Sequence, residues 1–149
     1  MKDLQIKSIV DQILIQSGSS VKVELESYFP GDRFAGGKYN FASHTITLYI
    51  EEIKAQCQQI FSSLDHFEDY LAVVFAHEIG HAEDSQLADL IEQLDSSNNE
   101  YTRTGISLNI EKNAWDYAMM VIPQKLHPFM DTIIHYSLQP YYEALEISA

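Results

Sequence analysis

The stretch of sequence that decides the fold is Phe67-Glu68-Asp69-Tyr70-Leu71-Ala72-Val73-Val74-Phe75-Ala76-His77-Glu78-Ile79-Gly80-His81, in the middle of a 149-residue chain. Its apolar residues recur at the three- and four-residue spacing of a helix and lead directly to the histidines at its end. The spacing predicts a mostly buried helix over residues 66–82. Asp65 is predicted to cap this helix, because Glu68 follows three residues later, as in a capping box.

The last five residues of this stretch have the pattern His-Glu-x-x-His. His77 and His81 are four residues apart, so they lie on the same face of a helix. Two imidazoles in this arrangement can bind one Zn²⁺, and Glu78 between them can reach a water molecule on the metal. The pattern predicts the centre of a zinc-dependent peptidase. The alternative is that both histidines are ordinary residues of a helix with no metal.

A catalytic zinc ion needs three protein ligands and an open position for water. Glu111 belongs to a separate helical pattern, in which Ala114 and Ala118 repeat at four-residue spacing on the same face. Small residues let two helices approach closely, which would bring the Glu111 carboxylate to the motif helix. Glu111 is therefore the favoured third ligand, against the alternative of a surface charge that interacts with the helix dipole. The other candidate carboxylates are Glu83, Asp84, Asp89, Glu92 and Asp116.

The composition is that of an ordinary globular chain, with 46% hydrophobic and 21% charged residues, and the length predicts a single domain over residues 1–149. The formal net charge of -13 argues against nucleic acid as a partner, because phosphates would be repelled. No apolar run approaches the ~20 residues that span a bilayer, and the first residues lack a signal peptide's apolar segment. Cys57 is the single cysteine, which excludes an internal disulfide and favours the reducing cytoplasm.

A few strands followed mostly by helices are predicted along the chain, which is typical of an α+β domain. Alternating β-branched and aromatic residues predict strands over residues 21–25 and 45–50, and the glycine-rich segment 29–38 is predicted to be a loop or a bent edge. A turn is predicted between Pro123 and Pro128. The other predicted helices cover residues 4–17, 52–61, 86–94, a segment from Ser107 or Asn109 to Met120 or Val121, and 129–138, with a loop over 95–103, a helix stop at Gly18 and a break at Pro140.

Two segments together resemble a known family. Ala76-His77-Glu78-Ile79-Gly80-His81, followed by Glu111-x-x-Ala114-x-x-Tyr117-Ala118-x-x-Val121-Ile122-Pro123, resembles the ImmA/IrrE family of gluzincin-type metallopeptidases. Members show A-H-E-[LI]-G-H and then E-x-E-A-N-x-F-A-x-x-L-L-[ML]-P. The resemblance covers about residues 21–123, and the segments Gly36-Gly37-Lys38-Tyr39 and Thr45-Ile46-Thr47-Leu48 are also similar. The chain departs from the pattern at Asn113, at Trp115, and in a proline that comes one residue early.

This resemblance implies a small zincin-like domain with a short sheet, an active-site helix that carries the HExxH motif and a following helix that carries the third ligand. It implies that Glu111 joins His77 and His81 as a zinc ligand and that Glu78 is the general base. It also implies a strand along whose edge a protein or peptide substrate lies, and a transcriptional regulator as that substrate. Together with the small size of the chain, it predicts a zinc endopeptidase of narrow specificity.

Several roles around the site stay open at the level of sequence. Zinc-bound histidines usually donate their second N–H to a carboxylate or carbonyl, for which Asp84 and Asp116 are candidates, with exposed carboxylates as the alternative. The segment 131–149 could occupy the cleft and keep the enzyme latent. Alternatives to the endopeptidase are a protein-binding module with a zincin fold and little or no proteolysis, and a structural helical protein with an accidental motif. A group that stabilises the oxyanion is expected opposite Glu78, and the candidates are His127, His135, Tyr136, Tyr117 and Tyr39.

Overall fold

A computed structural model describes residues 3–31 and 36–148 of the chain. Within these ranges one helix, three strands and five further helices follow one another, which is an α+β architecture. The strands are β1 (Lys22–Glu26), β2 (Gly37–Asn40) and β3 (Thr45–Tyr49). The helices are α1 (Asp3–Ser17), α2 (Ile50–Phe61), α3 (Phe67–Ala82), α4 (Leu87–Ser96), α5 (Glu100–Val121) and α6 (His127–Ser148), with a short 3-10 turn at Gln124–Leu126.

The three strands form one mixed sheet in the order β1–β3–β2. β3 lies in the middle, where Ile46 pairs with Val23 of parallel β1 and with Tyr39 of antiparallel β2. Ile46 and Leu48 of β3 are fully buried, because alternate residues of a strand face the same side of the sheet. β2 is an edge strand, and it packs against α3.

The middle of the fold is α3, in which eleven of sixteen residues are buried. Leu71, Phe75 and Ile79 are fully buried at four-residue spacing, so one face of α3 lies entirely in the core. Each such side chain stabilises the fold by roughly 1.5–3 kcal/mol through removal of apolar surface from water. α3 also packs against α1, α2, α5 and the sheet, so its opposite face is covered as well.

The glycine-rich segment before β3 has its predicted irregular conformation at residues 29–31 and differs from the prediction at Gly37 and Lys38. A loop or bent edge was expected over residues 29–38, whereas Gly37–Asn40 forms strand β2. Glycine has a low strand propensity, so the sequence does not predict a strand here. The extended conformation of β2 comes from its pairing with β3. Residues 32–35 of the predicted loop lie outside the described residues. β1 and β3 begin and end within one residue of the predicted strands.

The two long C-terminal helices extend beyond their predicted bounds. Ser107 or Asn109 was expected to begin α5, but Asn99 caps it, accepting a hydrogen bond from the backbone N–H of Thr102 at 2.9 Å. The predicted loop over residues 95–103 is confirmed only at residues 97–99, because the polar residues on either side of it belong to the end of α4 and the first turn of α5. A helix that packs on one side can tolerate this composition.

Pro140 was expected to end the last helix, but it lies inside α6. A proline removes one backbone hydrogen bond, and the packing of α6 along α5 holds the turns on either side of it. The predicted Asp65 cap of α3 was also wrong, since His66 occupies the cap position and makes no side-chain capping bond. Gly18 does end α1, with a left-handed φ of 69°. None of the described helices combines the length and apolarity needed to cross a membrane.

Candidate metal centre

Two histidines of α3 and one glutamate of α5 meet at a single point. The Nε2 atom of His77 lies 2.9 Å from one carboxylate oxygen of Glu111, and Nε2 of His81 lies 3.2 Å from the other. The two imidazoles are in edge-to-face contact, with ring centroids 4.7 Å apart. The four-residue spacing in α3 therefore places both rings on one face, and α5 brings a carboxylate to that face.

Close packing of α3 on α5 brings Glu111 within reach. Gly80 of α3 lies directly against the backbone of Ala114, so that a Cβ atom built on Gly80 would be 2.8 Å from Cα of Ala114. Ala114 and Ala118 are both fully buried. The sequence predicts this approach from the repeat of small residues in α5. Glu111 lies one turn before Ala114 and is carried to the histidines by the same contact.

Among residues 3–31 and 36–146, the buried polar or charged side chains are those of His77 and Glu78, with relative exposures of 9% and 6%. A charged group inside a protein is costly unless it is paired. Burial by itself lowers the pKa of His77, but its contacts with Glu111 and Glu78 outweigh that effect and raise the pKa above its usual 6.5. Burial raises the pKa of Glu111, whereas hydrogen bonds from both histidines bring it below its usual 4.5.

Glu78 points from α3 towards the edge of the sheet. One of its carboxylate oxygens lies 3.1 Å from Nδ1 of His77. Gly37 of β2 leaves room for this side chain, because a Cβ atom there would come within 2.8 Å of Cγ of Glu78. The Glu78 carboxylate therefore lies between α3 and β2, and it lines the cleft beside them.

His77, Glu78 and His81 form a group that could hold a metal ion, since each offers a ligand atom within 4.8 Å of the others. The Nε2 atoms of both rings, however, converge on Glu111. Ligand atoms of a tetrahedral zinc site lie roughly 3.3 Å apart, given metal–ligand distances of about 2.0–2.1 Å. The two nitrogen–oxygen distances to Glu111, 2.9 and 3.2 Å, are close to this value. Two imidazoles and one carboxylate fit a catalytic zinc ion.

The candidate centre opens into a cleft with two arms. The smaller cavity, of about 340 Å³, lies towards the start of α3 and is lined by Tyr70 and Val74. The larger one, of about 870 Å³, lies towards the end of α3 and also includes His81 and Glu111. Four residues line both cavities, so the arms meet at the candidate centre. They are Gly37, His77, Glu78 and Ser137.

The residues proposed as oxyanion stabilisers are dispersed over the fold. Tyr39 of β2 lines the larger cavity and its hydroxyl is 2.8 Å from Nδ1 of His44, whereas Tyr136 of α6 lines the smaller cavity. His127 contacts the carbonyl of Ile122 instead. Neither His135 nor Tyr117 is among the residues that line the two arms of the cleft.

The carboxylates considered as partners of His77 and His81 have other positions. Asp84 accepts a hydrogen bond from the side chain of Asn113 at 3.2 Å and one from the backbone N–H of Gln86 at 2.9 Å. Asp116 is exposed on α5. The carboxylate close to Nδ1 of a histidine is instead Glu78, next to His77.

Four residues of the site and its cleft are not apparent from the sequence. Trp115, expected to be a core residue, stacks on the imidazole of His77. Ser137 of α6 lines both arms of the cleft, and Pro140 and Tyr141 line the larger arm. The C-terminal helix is therefore a wall of the cleft. The chemical types of these residues give no local signal of this placement, which depends on how α6 packs on α5.

Comparisons of this chain with protein-family models, curated proteins and solved structures find no match. The functional assignment therefore depends on the residues of the candidate centre and on their geometry.

Proposed function

We propose that this protein is a cytoplasmic zinc-dependent endopeptidase of narrow specificity, in which His77, His81 and Glu111 bind the metal and Glu78 is the general base. The observation that carries the proposal is the convergence of both Nε2 atoms on Glu111, at 2.9 and 3.2 Å. Two imidazoles and a glutamate carboxylate from another helix are the ligand set of a His₂Glu catalytic zinc site. The proposal is also supported by the resemblance of the two motifs to those of the ImmA/IrrE family.

The position of the Glu78 side chain beside the cleft supports its proposed role as general base. Bound zinc supplies a Lewis acid that polarises the scissile carbonyl and lowers the pKa of a water molecule towards ~7. Glu78 would accept the proton of the attacking water and deliver it to the leaving amine. Its carboxylate lies where the two arms of the cleft meet, so a peptide that occupies both arms passes over it.

The edge of β2 offers a place for an extended substrate. Gly37, Lys38 and Tyr39 line the larger arm, and β2 pairs with β3 on its other side. A peptide added to such an edge gains affinity from main-chain hydrogen bonds and specificity from pockets for its side chains. This geometry supports the proposed hydrolysis of a partner protein that presents one accessible extended segment.

The smaller arm predicts one element of specificity. Apart from His77 and Glu78 at its mouth, the residues that line this cavity are uncharged, and they include Tyr70, Val74 and Trp115. A charged side chain placed there would lose hydration and would find no oppositely charged group in the lining except, for a cation, the Glu78 carboxylate. We therefore propose an uncharged substrate side chain in this arm. A transcriptional regulator as the substrate is part of the proposal on the ground of resemblance alone.

The test begins with the metal content of protein purified without added zinc or chelator. We expect about one zinc ion per chain, and strong loss of that zinc in Glu111→Ala, because a three-ligand site would keep only two ligands. Glu100→Ala is the matched control, since Glu100 is an exposed glutamate on the same helix. Zinc content that is equal in wild type and Glu111→Ala would remove Glu111 from the site.

The second step separates hydrolysis from binding. Glu78→Gln should keep the zinc and lose cleavage of a peptide library, because the general base is gone while the metal ligands remain. Retained turnover in this variant would contradict the mechanism. A wild-type protein that binds zinc and captures a partner without cleaving it would instead be the protein-binding module. A protein that binds no zinc would favour a metal-free binding module or a structural helical protein.

A further inference from the structure

One face of the His77 imidazole is covered by Trp115. The two rings are stacked, with centroids 4.2 Å apart and an angle of 29° between their planes. The indole is buried, at 5% exposure. The ring nitrogens of His77 point to two carboxylates, Nδ1 to Glu78 and Nε2 to Glu111. A ring held flat against the indole cannot rotate away from these directions without breaking the stack.

The indole is itself held in place by the C-terminal helix. Nε1–H of Trp115 donates a hydrogen bond to Oγ of Ser137 at 3.1 Å. Trp115 follows Glu111 by four residues, so both side chains leave α5 on the same face. α5 therefore contacts His77 twice, with a carboxylate at Nε2 and an indole on the ring face, and α6 fixes the indole.

We propose that Trp115 is a positioning residue that holds the His77 imidazole in the orientation required of a metal ligand, and that Ser137 fixes the indole for this purpose. This inference rests on the proposed function, because it concerns the metal that His77, His81 and Glu111 would bind. A ligand oriented before the metal arrives pays less ordering entropy on binding. Trp115 occupies the position at which the ImmA/IrrE motif has Asn, so its stacking on His77 is a feature of this chain's own residues.

The first readout needs no metal. In the NMR spectrum of the metal-free protein, the ring current of the indole should move the carbon-bound ring protons of His77 upfield relative to those of His81. Trp115→Leu, which keeps an apolar side chain without an aromatic face, should abolish the upfield shift. The matched control is Phe129→Leu, which removes a stack of similar geometry with Phe61, at 4.7 Å and 17°, outside the candidate centre. The same His77 shifts in wild type and Trp115→Leu would overturn the inference.

The second readout is zinc affinity measured by competition with a chelator. Loss of a group that orients a metal ligand typically weakens binding about 10–100-fold. We expect a loss of this size in Trp115→Leu and a smaller one in Ser137→Ala. Trp115→Phe, which retains a flat ring but loses the N–H group, should lose about as much affinity as Ser137→Ala, and it keeps the test decisive if the leucine variant does not fold.

The outcomes distinguish this inference from the proposed function. Wild-type zinc affinity in Trp115→Leu, or an equal loss in Phe129→Leu, would overturn the positioning role and leave the zinc peptidase untouched. A wild-type chain that binds no zinc would overturn both. A loss confined to the variants of Trp115 and Ser137 would support the positioning role even if no peptide is cleaved.

Discussion

Addition of one methyl group at Gly80 should separate α3 from α5 and disrupt the candidate centre. In Gly80→Ala the new Cβ would lie 2.8 Å from Cα of Ala114 and 2.9 Å from its carbonyl carbon. Carbon atoms in contact are ordinarily ~3.5 Å apart, so the two helices must move apart by roughly 0.7 Å. The atoms that the new Cβ would meet belong to the backbone of Ala114, so no side-chain rotation can relieve the clash.

The magnitude has two parts of opposite sign. Alanine in place of glycine inside a helix stabilises by about 0.5–1 kcal/mol, whereas overpacking of a tight core contact costs typically 1–3 kcal/mol. We expect a net loss of about 1–2 kcal/mol in the free energy of unfolding of Gly80→Ala. A 0.7 Å displacement also exceeds the ~0.5 Å within which a functional site must be held. Zinc affinity should therefore fall by on the order of tenfold or more.

The assay is denaturant unfolding of the metal-free protein, so that bound zinc does not contribute to stability, followed by chelator competition. Gly105→Ala is the matched control, because a Cβ at that position of α5 meets nothing within 4 Å. That variant should gain about 0.5–1 kcal/mol from helix propensity and keep its zinc affinity. If Gly80→Ala is as stable as Gly105→Ala and binds zinc equally well, the close backbone contact does not determine the position of Glu111.

Three further changes test other parts of the structure. Gly37→Ala should leave the fold intact but reduce cleavage by on the order of 100-fold, because its Cβ would displace the Glu78 side chain; cleavage at the wild-type rate would contradict this. Pro140→Ala should raise the free energy of unfolding by about 1–3 kcal/mol, since α6 regains a backbone hydrogen bond; unchanged stability in denaturant would show that the proline is fully accommodated. The metal-free protein should be stabilised by the His77–Glu111 pair most strongly between pH 4.5 and 6.5, the usual pKa values of the two groups. The raised histidine pKa makes this contribution decline above that range, and the lowered glutamate pKa makes it decline below it. Unfolding of Glu111→Gln should show a smaller alkaline decline, because Glu78 still raises the pKa of His77.

The parts of the fold that the sequence predicts are those with a strong local pattern. α3 combines helical spacing with apolar residues on nearly every side, which is the pattern of a helix covered from several directions. β3 alternates small polar and apolar residues as a central strand does. The approach of α5 to α3 is also predictable, because Ala114 and Ala118 remove the side chains that would keep the helices apart.

Other features depend on contacts that are distant in sequence. The first turns of α5 are polar and resemble a loop, and their conformation comes from the Asn99 cap and from packing further along the helix. The continuation of α6 through Pro140 depends on α5 as a partner. The stack of Trp115 on His77 joins residues 38 positions apart on two helices, as their numbering shows, and no spacing rule within one helix can reveal it.

The stack of Trp115 on His77 gives the protein an intrinsic optical reporter. The chain contains a single tryptophan and nine tyrosines. Excitation at wavelengths that tyrosine does not absorb therefore selects the indole of Trp115, which is stacked on the candidate metal ligand His77. Indole emission responds to the charge and motion of the group in contact with its face. The emission of Trp115 can therefore report changes at His77 when the unlabelled protein is titrated with a metal, with acid or with a peptide, and this requires no known substrate.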